Sequence, residues 1–213
     1  MNDHSLSPAG TVYVVDDEAG MRAALRRVFT AAQLPVQEFS SAMEFLALDE
    51  PRRPAVLVLD VRMPEMGGME LHARLIERRS DLPVIFLTGA STVPMAVAAM
   101  RKGAVDFLEK PFDNDVLVAR VRLALEADTM AGTKRVRHAD YATRLASLTP
   151  RERQVLEHML AGRTSREIAA ALGGSHRTME IHRGRVMTKL GAATTADLVR
   201  MTLQDAPAPS PKT

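Results

Sequence analysis

Short runs of β-branched and other apolar residues at 11–15, 36–39, 55–59, 84–87 and 105–108 punctuate the first 126 residues of the chain. Between them, segments 21–32, 42–48, 69–79, 93–102 and 113–126 carry apolar residues at helical spacing. The alternation predicts a (βα)5 unit. Strands that pair in parallel need a crossover, so the sheet is expected to be mainly parallel and doubly wound, with helices on both faces. Residues 55–59, apolar without alternation, suit a central strand covered on both sides. Beyond 147 the pattern is helical alone, at 150–160, 165–172, 176–190 and 195–203, which predicts a small all-α domain.

The stretch between the two patterns is polar and mixed, with Lys134, Arg135, Arg137 and Arg144. It reads as a linker over 128–147. Apart from Gly132 it holds no strong helix breaker, which leaves open whether it extends the preceding helix. The expected division is therefore an α/β domain over 10–127, a linker, a helical domain over 148–204, and a disordered tail over 205–213 with three prolines.

Charge adds a division of labour. Residues 1–126 hold 14 basic against 18 acidic side chains, whereas the remainder holds 14 against 8. A basic C-terminal part favours a polyanionic partner, because Lys and Arg beside phosphates release condensed counterions. The 46% hydrophobic content is enough for a core, but no apolar run is long enough to span a bilayer, so no membrane contact is expected. The first ten residues lack the basic and apolar regions of a secretory signal, and there is no cysteine; a cytoplasmic protein without disulfides is expected.

Candidate chemistry sits at the carboxyl ends of the predicted strands: Asp16 and Asp17 after the first, Asp60 after the third, Thr88 after the fourth and Lys110 after the fifth. In an open α/β sheet that edge is where ligands bind, and with the flavodoxin-like order 2-1-3-4-5 the first and third strands are neighbours. Three carboxylates gathered there repel one another unless a hard cation intervenes, and Mg2+, or Mn2+ in its place, suits one or two carboxylates, waters and a phosphate oxygen. Lys110 offers a compact positive charge and Thr88 a hydroxyl donor for other phosphoryl oxygens. Taken singly, each aspartate can equally cap a helix, and Lys110 can be a solvated charge. Their convergence on one edge favours phosphoryl chemistry on Asp60.

The residues Val14-Val15-Asp16-Asp17-Glu18, Leu59-Asp60-Val61-Arg62-Met63-Pro64, Leu87-Thr88-Gly89 and Phe107-Leu108-Glu109-Lys110-Pro111-Phe112 resemble response-regulator receiver domains, over roughly 10–127. The resemblance implies a CheY-like fold with Asp60 as phosphoacceptor, and with Asp16, Asp17, Asp60 and the backbone carbonyl of Arg62 as metal ligands. It also implies Thr88 and Phe107 as switch residues, Lys110 as phosphoryl partner, and a cis bond before Pro111. For Phe107, plain core packing is the alternative. In the proposed two-state shift, the phosphoryl group draws Thr88 inward and Phe107 rotates into the space left. Small residues over 93–102, including Ala96, Ala98 and Ala99, suit either a dimer face or core packing. Arg62 and Ala90 flank the site and are expected to influence water access.

In the second domain, Thr149, Pro150 and Glu152 form a helix-start signal, Gly162 closes that helix, and Thr164 or Ser165 caps the next. A connection at Gly173-Gly174 leads to a third helix. On it Arg177, Glu180, Ile181, Gly184 and Thr188 share one face, flanked by Arg183 and Arg185, while Met179, Val186 and Leu190 face the core. Such a helix enters a major groove: Glu180 can accept from a cytosine amino group, Ile181 can touch a thymine methyl, and the arginines with Lys189 can reach phosphates. His182 has no second ligand at metal spacing and reads as half-buried packing.

Leu148-Thr149-Pro150-Arg151-Glu152, Ile168-Ala169, Arg177-Thr178-Met179-Glu180-Ile181-His182-Arg183 and Lys189-Leu190-Gly191 resemble LuxR-type helix-turn-helix domains, and the whole architecture resembles the FixJ and NarL group, more closely FixJ. Two departures are Gly174, where an apolar residue is usual, expected to loosen the turn, and Ser165, where Asn is usual, still expected to cap. The resemblance implies a sensor histidine kinase and double-stranded promoter DNA as partners. It further implies a phosphorylation-dependent homodimer, RNA polymerase as a candidate partner, and transcriptional activation. No enzymatic activity is expected beyond the receiver's own phosphoryl transfer and dephosphorylation. The rivals are an aspartate-nucleophile phosphatase, disfavoured because Val61-Arg62 follows Asp60 without a second acidic residue; a nucleotide-binding protein, disfavoured because no Walker lysine loop or dinucleotide glycine fingerprint follows the first strand; a receiver that dimerises without being phosphorylated; and a helical bundle whose basic face contacts protein.

Overall fold

The computed structural model describes residues 10–89 and 93–205; Ala90 and the tail beyond 205 lie outside them. Contacts divide the chain into two compact units that meet between Gly132 and Thr133. The first is built from β1 (Thr11–Val15), α1 (Ala19–Ala31), β2 (Val36–Phe39), α2 (Ala42–Leu46), β3 (Ala55–Asp60), α3 (Gly68–Glu77), β4 (Val84–Thr88), α4 (Val93–Arg101), β5 (Asp106–Glu109) and the start of α5 (Asn114–Ala146). The second holds the rest of α5 with α6 (Pro150–Leu160), α7 (Ser165–Leu172), α8 (His176–Leu190) and α9 (Thr195–Asp205).

The five strands pair in parallel in the order β2-β1-β3-β4-β5. Every residue of β3 is buried, and its side chains alternate between two cores. Leu57 and Leu59 join Phe45, Leu71, Leu75 and Ala99 on one face, while Val56 and Val58 join Leu25, Phe29, Leu117 and Val121 on the other. That arrangement is the doubly wound sheet. It also explains the unbroken apolar run in the sequence, because a strand covered on both sides has no solvent face to alternate with.

The helix expected to stop at Glu126 continues to Ala146, so the polar stretch read as a linker is helical almost throughout. Two buried residues account for the difference. Asp128 is 3% exposed and accepts from the Ala55 amide at 2.8 Å and from the Arg53 guanidinium, which ties this turn to the start of β3. Tyr141, also 3% exposed, belongs to the core of the second unit, and its hydroxyl lies 3.0 Å from that of Thr202.

The second unit buries Val155, Leu156, Met159, Ile168, Met179, Val186, Leu190 and Leu198 in one cluster. Capping boxes start α6, at Thr149 and Glu152, and α7, at Thr164 and Glu167. Ser165, expected from the family pattern to cap, is instead the first residue of α7, and Thr164 takes the cap one position earlier. Ser175 caps α8, accepting from the Thr178 amide.

Candidate functional site

The register of the parallel ladder assembles the first site. Val15 pairs with Leu59 and Asp60 with Leu87, so Asp16 and Asp60 leave their strands side by side, with Thr88 one step beyond on β4. Asp16 is 2% exposed and Asp60 7%; Asp17, next in the chain, is exposed. Lys110 follows β5, and its Nζ donates to Asp16 Oδ2 at 2.9 Å and to Asp60 Oδ1 at 2.7 Å. The Lys110–Pro111 peptide is cis. The remaining carboxylate oxygens accept from the backbone: Asp16 Oδ1 from the Glu18 amide and Asp60 Oδ2 from the Arg62 amide, at 2.8 and 2.7 Å.

Two acidic side chains in so dry a place require compensation, and one ammonium spanning both supplies it. Burial pulls the Lys110 pKa down, but hydrogen bonds and attraction from Asp60 and Asp16 outweigh burial and hold it above the usual lysine value. The pair opens onto a polar pocket of about 210 Å³ that Asp17, Glu18, Arg62 and Gly89 also line. Among the described residues, no three His, Cys, Asp or Glu side chains converge as a ready-made metal cluster. Asp16, Asp17 and Asp60 nevertheless line this pocket together with Arg62.

Thr88 is 1% exposed and its carbonyl accepts from the Lys110 amide at 2.7 Å. Phe107 is partly buried against the α3 and α4 side of the sheet, its ring 6.0 Å from that of Phe86 and tilted by 44°. Gly68, which gave no signal in the sequence pattern, proves to matter locally. A Cβ there would collide with the Asp60 carbonyl, so only glycine lets α3 begin so close to the phosphoacceptor candidate.

The second site is the outer face of α8. Arg177, Glu180, Ile181, Gly184, Arg185 and Thr188 are exposed, while Met179, Val186 and Leu190 point into the core. Two cations of this helix, Arg183 and Lys189, differ from simple solvated charges. Arg183 is half-buried and donates to the Arg163 carbonyl at 3.0 Å. Lys189 donates to Glu152 Oε2 at 2.7 Å and to the Ser147 carbonyl at 3.0 Å. His182 is half-buried, with Nδ1 enclosed and without a hydrogen-bond partner among the described residues.

The turn before α8 is held from α6: Arg151 donates to the carbonyls of Leu172 at 2.7 Å and Gly173 at 2.5 Å. Gly174, at φ 133°, lies where a Cβ would come within 3.0 Å of Met179 Cε. The methionine thus fills the space the usual apolar side chain would take. Arg151, like Asp128, was invisible to pattern reasoning, because its acceptors are backbone carbonyls more than twenty residues away.

Comparisons with known proteins match both parts of the chain. The response regulator receiver domain model matches residues 12–122, and the luxR family model of bacterial regulatory proteins matches 146–202. The chain is 40% identical over 199 residues to the transcriptional regulatory protein FixJ of Bradyrhizobium diazoefficiens, covering 93% of this chain and 97% of that one. It is 42% identical to FixJ of Rhizobium meliloti, with coverage of 94% and 98%. Among solved structures, the response regulator StyR superposes with a TM-score of 0.84 at 35% identity, covering 91% of this chain and 98% of that one. Full-length FixJ from B. japonicum gives 0.57 at 40% identity, with coverage of 93% and 98%. The chain belongs to the response regulators, in the FixJ-like group of transcriptional regulators that join a receiver domain to a LuxR-type DNA-binding domain.

Proposed function

We propose that Asp60 accepts a phosphoryl group from a phosphohistidine of a sensor kinase, and that this modification controls dimerisation and sequence-specific reading of promoter DNA by α8. The observation that carries the reading is the Lys110 ammonium held between Asp16 and Asp60 at the shared strand edge. In the transfer, a carboxylate oxygen of Asp60 attacks phosphorus, the P–N bond breaks, and the histidine leaves as imidazole. Lys110 exchanges its bond to the Asp60 carboxylate for one to a phosphoryl oxygen, and the Thr88 hydroxyl donates to another. A hard divalent cation, Mg2+ or Mn2+, would be held by Asp16, Asp17, Asp60 and the Arg62 carbonyl and supplies charge neutralisation. The donor set is all oxygen and faces an open polar pocket, which suits such an ion. Hydrolysis of the acyl phosphate by water restores Asp60, so the receiver turns over its own modification and no external substrate.

The inward pull on Thr88 frees the space into which Phe107 rotates, and the α4–β5 surface changes with it. Exposed Val97, Met100 and Val105 give that surface the apolar character a dimer contact needs. On DNA, Arg177 and Arg185 meet phosphates while Glu180, Ile181 and Thr188 face base edges, with RNA polymerase as a further partner and activation as the outcome. Intact-mass spectrometry after incubation with acetyl phosphate and magnesium tests the chemistry. Addition of one hydroxylamine-labile phosphoryl group to wild type and none to Asp60→Asn is the expected result; equal labelling of both contradicts it.

A further inference from the structure

Helices α6 and α7 begin with the same device, yet the two copies are built differently. At Thr164 the capping glutamate, Glu167, is exposed, and among the described residues its carboxylate bonds only at its own helix start. At Thr149 the capping glutamate, Glu152, is 2% exposed, and its Oε2 accepts both from the Thr149 amide at 2.9 Å and from the Lys189 ammonium at 2.7 Å. Capping needs neither that burial nor that cation, as Glu167 shows. Burying a carboxylate is costly unless it is paired, so the second bond does something the cap does not require.

Lys189 comes from the last turn of α8 and is itself doubly held, by Glu152 and by the Ser147 carbonyl. The groove beside the pair is lined by Thr149, the cap of α6, and by Ile181, Gly184, Arg185 and Thr188 from α8. Thr188 immediately precedes the clamped residue, and Arg185 lies one turn before it. Holding Lys189 therefore adds a polar tie to the buried stripe of Met179, Val186 and Leu190 that orients α8, one turn from the side chains that would read bases.

We propose that Glu152 is a positioning residue for DNA recognition: it captures Lys189, helps orient the C-terminal half of α8, and withdraws the Lys189 charge from the phosphate backbone. The inference rests on the DNA-binding reading above. It divides the cations of α8 by task, with Arg185 supplying salt-sensitive affinity and Lys189 supplying selectivity.

The test uses the full chain, phosphorylated with acetyl phosphate. Its probes are a duplex recovered by wild type from a random-sequence library and a scrambled duplex of equal composition. For wild type, Arg185→Met, Lys189→Met, Lys189→Arg and Glu152→Gln, the salt dependence of binding and the affinity ratio of the two duplexes are measured. Arg185→Met lowers the salt slope by about 1, whereas Lys189→Met leaves it essentially unchanged. Lys189→Met and Glu152→Gln each lower the affinity ratio about tenfold, and Lys189→Arg restores part of it. A slope lost equally in Lys189→Met and Arg185→Met makes Lys189 a phosphate contact and overturns the proposal. An affinity ratio untouched in Lys189→Met reduces the ion pair to packing and overturns it as well. Should Glu152→Gln fail to fold, Lys189→Met against Lys189→Arg decides the same question. If wild type recovers no duplex, the DNA-binding reading itself falls.

Discussion

Burial acts in the same direction on Lys110 and His72, yet the two bases end on opposite sides of their usual pKa ranges. For Lys110 the carboxylates of Asp60 and Asp16 overcome burial and raise the pKa. A base whose pKa is raised by folding contributes stability below its unfolded value and loses it as pH climbs through the folded one. The contribution of this cluster is therefore constant from neutral pH up to about 10 and declines above that. Denaturant melts of the receiver across that range check it. Lys110→Met, which leaves Asp16 and Asp60 facing each other without a cation, is expected to lower stability by about 1–3 kcal/mol. His72 has no such partner. It is 4% exposed, packs edge-on against Phe86 at 5.4 Å, and its Nδ1 has no hydrogen bond among the described residues. Burial, then the nearby Lys102 charge, lowers its pKa. The unfolded chain then binds the proton more readily, so stability is full above about pH 6.5 and falls as the solution is acidified below it. His72→Leu is expected to flatten the melting profile between about pH 7 and 5; an unchanged slope would mean that the ring finds solvent or an acceptor when protonated.

At the scale of elements, α6 and α5 depend on single carboxylates. Glu152 is held at a pKa of about 2, first by the hydrogen bond from Lys189 and then by that from the Thr149 amide. A lowered acid contributes stability above its unfolded value and loses it as pH falls, here between about 4.5 and 2. With partial screening of the half-exposed Lys189, the loss is about 1–2 kcal/mol, readable as acid melting of the helical domain that is reduced in Glu152→Gln. On α5, Asp128 ties the helix to the start of β3. A fragment ending at Ala127 is expected to be about 1–3 kcal/mol less stable than one ending at Gly132, because the buried Ala55 amide loses its acceptor and Arg53 keeps only Asp81. Comparing urea midpoints of the two fragments decides it.

The strands and α8 were legible in the sequence because their signal is local. A doubly covered strand such as β3 is an unbroken apolar run, and α8 shows its buried stripe of Met179, Val186 and Leu190 at helical spacing. The site residues were legible because parallel strands bring their carboxyl ends to one edge whatever lies between them. Asp128, Arg151 and the Glu152–Lys189 pair were not, since each acquires its role from a partner far along the chain, and a charged residue buried by a distant partner looks like any solvated charge until the fold is known. The same reason made the polar turns of α5 read as a linker.

Across the whole molecule, phosphorylation of the acidic receiver is expected to govern DNA binding by the basic helical domain. The direct measurement is binding of duplex library DNA by wild type and Asp60→Asn, each with and without magnesium and acetyl phosphate, at one fixed salt concentration. Binding that becomes tighter and sequence-selective only for wild type with both reagents present is the predicted result. DNA bound equally well under every condition and by both proteins would contradict control through Asp60.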